Sequence, residues 1–175
     1  DGVILPPLTA GAPASIPVIV TNTTDALAYL NAWFDFNNNQ ETDPGEQIAN
    51  NVVIEAGLLE SEMDLNFTVP AGATVGSSVG LRFRLTNTLS PGVVGNSGIG
   101  EVEDDTANFA APVTDFGDWS GAGLASNVAS SDLRMGALVD TEYVANINGS
   151  ATGDDQVGSD DEDGVSLPST VTPGT

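Results

Sequence analysis

Residues 63–86 read "MDLNFTVPAGATVGSSVGLRFRLT". Met63, Leu65, Phe67 and Val69 alternate with Asp64, Asn66 and Thr68, and Val79, Leu81, Phe83 and Leu85 alternate with Gly80, Arg82 and Arg84. An apolar period of two puts each set on one face of a strand, and the intervening "PAGATVG" supplies the Pro and Gly of a turn. Two half-buried strands in succession follow, with both arginines turned away from the core. The same texture recurs outward along the chain. "ALAYLNAWF" (residues 26–34) sets Leu27, Tyr29 and Trp33 on one face and Leu30, Ala32 and Phe34 on the other, as a central strand buried on both sides requires. Further strands are expected over 16–20, 48–54 and 101–109. Short strands at roughly ten-residue spacing predict an all-β chain whose first part, residues 1–112, is an antiparallel immunoglobulin-like β-sandwich.

Composition limits what such a chain can do. Its 175 residues carry 25 Asp and Glu against three arginines, with no Lys, no His and no Cys, for a net charge of -22. So negative a surface repels nucleic acid and anionic lipid and attracts cations. Without His or Cys, the imidazole and thiolate nucleophiles and the common zinc and copper ligand sets are absent. Carboxylate, amide and carbonyl oxygens remain, and these hard donors suit Ca²⁺ or Mg²⁺. The absence of Lys excludes Lys–Asn isopeptide cross-links, so any cohesion between modules is noncovalent. No apolar run approaches the length of a spanning helix, and the chain reads as a mature or excised piece of something larger.

After Pro112 the alternation fades and Gly, Ser, Asp and Asn dominate. Residues 113–162 read as an acidic, largely irregular connector, with a short strand expected only within 132–143. The opening "DGVILP" then returns as "DGVSLP" at residues 163–168, matching at five of six positions. A tandem unit of 162 residues (163 minus 1) is the simplest inference, residues 163–175 being the head of a next copy or a strand exchanged with a neighbour.

The stretch "DFNNNQETDPGE" (residues 35–46) places an acid or amide at every second position. With Asp35 as position 1, Asn37, Asn39, Glu41, Asp43 and Glu46 fall at positions 3, 5, 7, 9 and 12. Those are the liganding positions of a twelve-residue calcium loop, position 7 offering its backbone carbonyl and position 12 a bidentate carboxylate. Position 6, where such a loop has Gly for a left-handed turn, is Gln40. A polar hairpin loop whose Asn and Asp satisfy their own backbone is the other reading of the same residues.

"GEVED" at residues 100–104, with "LNAWFDFNNNQETDPGEQI" and "VPAGATVGSSVGLRFRLT", resembles the bacterial GEVED domain. "DFGD" at 115–118 and "ATGDDQVGSDDEDGV" at 151–165 resemble the acidic connector that accompanies such domains in long secreted surface proteins. The resemblance implies a β-sandwich module of exported, repeat-containing adhesin-like or fibre proteins, and no enzyme. It also implies calcium in the connector, with Asp154, Asp155, Asp160, Asp161 and Asp163 as candidate ligands. Within the signature, Glu101 and Glu103 should share one strand face, leaving Val102 as a core residue beside Asp104. The expected function is therefore a structural repeat of an extracellular adhesin or filament, stiffened by calcium and partnered by copies of itself. Carbohydrate binding through Trp33 or Trp119, and a glycan hydrolase using a carboxylate pair, are the alternatives.

Overall fold

The computed structural model of the chain describes residues 2–129, 132–139, 141, 145–150 and 165–166. It divides into two compact units, Asp1–Ala111 and Pro112–Thr175. No helix of the described residues is long and apolar enough to cross a membrane.

The first unit is all β. Its strands are β1 (Leu8–Thr9), β2 (Pro13–Asn22), β3 (Ala28–Phe34), β4 (Gln47–Ile54), β5 (Leu58–Thr68), β6 (Ser78–Thr86) and β7 (Gly100–Ala110). One sheet has five strands in the order β1-β7-β6-β3-β4, and the other pairs β2 with β5. Strands 2 and 5 in one sheet and 3, 4, 6 and 7 in the other make the crossing pattern of an immunoglobulin-type sandwich. One pair departs from the antiparallel expectation: β1 runs parallel to β7, with Leu8 opposite Phe109 and Thr9 opposite Ala110. Just before it, residues 2–4 lie along β2 in the other sheet, where Ile4 N donates to Pro17 O at 3.1 Å and Ile19 N to Gly2 O at 2.7 Å. The start of the chain therefore stitches both sheets together.

Alternation set the buried faces. Leu30, Ala32 and Phe34 of β3 meet Val79, Leu81 and Phe83 of β6 on the inner side, opposite Ile16, Val18 and Val20 of β2 and Leu65 of β5. Four phenylalanines close one end of this core: Phe34 stacks on Phe36 with ring centroids 5.3 Å apart, and Phe67 and Phe109 pack against both. Leu27, expected within a strand, precedes β3 and is exposed.

The GEVED stretch sits the other way round from its expected orientation. Register pairs Phe83 with Glu103 and Arg84 with Val102, so the glutamates take the inward side and Val102 is 51% exposed on the outer one. The inward glutamates are tolerated because the two sheets part there into an open cleft of about 560 Å³, and Gly2 N donates to Glu103 Oε2 at 3.3 Å. The leading Gly100 has a steric cause. At φ +156°, a Cβ there would lie 1.8 Å from Leu85 O.

In the second unit, β8 (Thr114–Gly117) and β9 (Ala125–Val128) form an antiparallel hairpin. The sequence assigned these residues to irregular connector and placed its one strand within 132–143, where no strand occurs among the described residues. The strand signal at 114–117 is four residues long with no alternation to mark it, so cross-strand bonding alone defines it.

Candidate metal centre

The residues 35–46 connect β3 to β4 and are held firmly at both ends. Phe34 N donates to Glu46 O at 2.9 Å, closing the base, and the buried Phe36 ring drives the loop's second residue into the phenylalanine cluster. Asp35 N and Phe36 O are bonded to the neighbouring segment through Gly80 O and Thr74 N.

Within this frame the side chains fold inward on the backbone. Asp35 accepts from Asn39 N on Oδ1 at 3.0 Å and from Gln40 N on Oδ2 at 2.8 Å. Asn37 Oδ1 also accepts from Asn39 N, and Asn39 Oδ1 accepts from Glu41 N. The Nδ2 groups of Asn37 and Asn39 both donate to Asp43 Oδ2, at 2.7 and 2.8 Å. Asp43 N in turn donates to Glu46 Oε2 at 2.8 Å. The structure thus brings Asp35, Asn37, Asn39, Asp43 and Glu46 into one connected set, while the Glu41 side chain is exposed and joins it only through its backbone. Gln40 adopts φ +65°, the left-handed conformation that position 6 of a calcium loop needs, although it is not Gly. Among the described residues no three Asp or Glu side chains converge as a ready-made metal centre, and two of this loop's five side-chain donors, Asn37 and Asn39, are amides. Asp154, Asp155, Asp160, Asp161 and Asp163 lie outside the described residues.

One atom of the loop is unsatisfied. Glu46 is only 4% exposed, and its Oε1 is buried with no hydrogen-bond partner. An orphaned carboxylate oxygen costs several kcal/mol of desolvation unless a cation or an ordered water answers it. Spacing could place Glu46 at position 12, but not show that it is buried.

Beside the loop, the outer face of the five-stranded sheet is covered by residues 87–99, the β6–β7 connection. Arg84 organises this cover. It is 4% exposed, and its guanidinium donates to the carbonyls of Pro91, Gly92, Val94 and Gly95 and to Ser97 Oγ. Arg84 does point away from the core, as its alternation requires, yet a carbonyl cage rather than water receives it. Trp33 is buried on the same face, in a cleft shared with Val93 and Val94, so it offers no ring face to a sugar. Trp119, in the second unit, is exposed.

Arg82 sits at the rim and makes a bidentate pair with Asp104, 2.6 Å on each arm. The hydrogen bond from Arg82, reinforced by its charge, holds the Asp104 carboxyl below its ordinary range against the opposing effect of burial. A lowered folded-state pKa stabilises above the unfolded value and ceases to do so as pH falls through the folded one. Asp104→Asn should therefore lower neutral-pH stability by less than about 1 kcal/mol, because both groups are substantially exposed. Acid titrations of variant and wild type should converge below the carboxylate range, and a gap that persists there would show that packing, not the ion pair, is responsible.

With its sheets wound as an immunoglobulin-type sandwich and an oxygen-rich loop closed at one end, the first unit is an all-β module. Residues 29–108, from β3 almost to the end of β7, match the family model of the GEVED domain. No curated protein and no solved structure matches the chain significantly.

Proposed function

We propose that the chain is a structural repeat of an extracellular surface adhesin or filament, and that the 35–46 loop binds calcium. The observation that carries the metal reading is Glu46 Oε1, buried and unpartnered at the position where a calcium loop supplies its bidentate carboxylate. Asp35, Asn37, Asn39 and Asp43 are the remaining side-chain donors, and Glu41 contributes its carbonyl. Bound calcium would supply charge neutralisation and no bond-making chemistry. The chain's own part is to hold the oxygens of six residues at fixed spacing on a base anchored in the core. Extracellular calcium modules bind at about 10⁻⁴ to 10⁻³ M, which leaves them empty in cytosol and filled outside the cell. The acidic residues between 154 and 163 would extend the same stiffening into the connector.

Thermal unfolding of the full chain in calcium and in chelator tests this. At a free concentration about tenfold to a hundredfold over Kd, calcium should stabilise the wild type by roughly 1.4 to 2.7 kcal/mol. Glu46→Gln should lose most of that response. In chelator the same variant should be at least as stable as wild type, since it replaces a buried charge by a neutral amide. Identical wild-type melting in both buffers would remove the metal from the account.

A further inference from the structure

The echo at residues 163–168 acquires a structural meaning once the seat of residues 2–6 is known. Gly2, Val3, Leu5 and Pro6 are half-buried, and Val3 and Leu5 pack against the core. Ile4 points outward and is 52% exposed. The repeated hexapeptide keeps each of the half-buried residues as Gly164, Val165, Leu167 and Pro168. Its one change falls at the exposed position, where Ser166 replaces Ile4. The retained glycine also suits the seat, because a Cβ at Gly2 would lie 3.0 Å from Ile19 O, tight enough that Ile19 would have to give way by a few tenths of an ångström. The match stops where the strand leaves β2: buried Leu8 corresponds to Thr170. Sequence identity thus follows the burial pattern of one strand seat and ends with it. On its own chain Val165 is 58% exposed.

We propose that residues 163–168 occupy the first-strand seat along β2 in another copy of this chain, displacing that copy's residues 1–6. The inference deepens the reading of the chain as a repeat that neighbours copies of itself, and names the surface through which they join. The seat is an edge, held to β2 by two backbone hydrogen bonds, and it adjoins the open cleft floored by Val18, Val20, Leu30 and Phe83. Donor and resident strands make the same inward contacts, so exchange is close to neutral in contact energy, and the resident strand prevails in dilute solution through its covalent attachment. Donor and seat lie at different places on the chain, so the contact is heterologous and propagates head to tail.

The register makes a covalent trap possible in a chain that has no cysteine. Val3 lies opposite Val18, so residue 4 faces Pro17, and in the exchanged pair Ser166 takes that place. Full-length chains carrying Pro17→Cys alone and Ser166→Cys alone are mixed, oxidised and resolved on a denaturing gel, in calcium and in chelator. Disulfide-linked heterodimer is expected to accumulate in both buffers. It should increase several-fold when the Pro17→Cys chain also carries Val3→Asp, which empties the seat, and be lost when the Ser166→Cys chain also carries Val165→Asp. Heterodimer no more abundant than with Thr170→Cys as donor, or undiminished by Val165→Asp, would overturn the proposal. Because the readout is a covalent link rather than a calcium response, its failure is distinguishable from failure of the metal reading.

Discussion

Gly100→Ala is expected to destabilise the first unit by about 3 kcal/mol, by combining backbone strain with overpacking. Gly100 pairs with Thr86 at the start of β7, at φ +156°. An added Cβ would meet Leu85 O at 1.8 Å and the Leu85 carbonyl carbon and Thr86 Cα at 2.8 Å each. All three are backbone atoms of a strand bonded on both sides, so neither partner can yield by rotating a side chain. The first β6–β7 pairs must separate, and with them the register that brings Arg82 to Asp104 and Arg84 beneath its loop. Chemical denaturation of variant and wild type measures the loss. A midpoint unchanged within error would mean that the close approach at this residue is not what the signature glycine serves.

Arg84→Met should cost a similar amount, about 3 kcal/mol, by a different route. The substitution keeps much of the aliphatic stem but removes the donors that gather five groups from Pro91 to Ser97, leaving those part-buried acceptors without their shared partner. The loop 87–99 then has little reason to stay on the sheet. Trp33, at 7% exposure beneath it, should become wet and shift its emission to longer wavelength. Trp119 is already exposed and contributes a constant background. Arg84→Lys should recover only part of the loss, since a compact ammonium cannot reach carbonyls spread around a planar fork. Wild-type emission from the methionine variant would show that the loop is held by something other than this guanidinium.

The strands were legible because their physics is local. Leu65 and Phe67, or Leu81 and Phe83, announce a buried face through a period of two, and β2 to β7 fall where alternation places them. What depends on remote partners was not legible. The parallel contact of β1 with β7 rests on two residue pairs about a hundred positions apart, and no local pattern encodes it. Nothing in residues 87–99 marks them as a sheet cover; that role rests on Arg84 collecting their carbonyls. Val102 shows the limit of alternation: the period assigned Val102 and Glu103 to opposite faces correctly, but only packing decides which face is inside. In the candidate metal loop the spacing marked candidate donors and left two readings open. The burial of Glu46, and the left-handed turn at Gln40, are properties of the folded base and of the phenylalanines beneath it.

The short parallel pairing of β1 with β7 also sets how the sandwich bears load. β1 enters near the beginning of the unit and β7 leaves at its end, running in the same direction. A pull on the two ends of the unit drags these neighbours past each other lengthwise, so their bonds are strained together instead of opening one after another. A module wired this way resists tension in shear, a useful property for a link in any chain that is stretched.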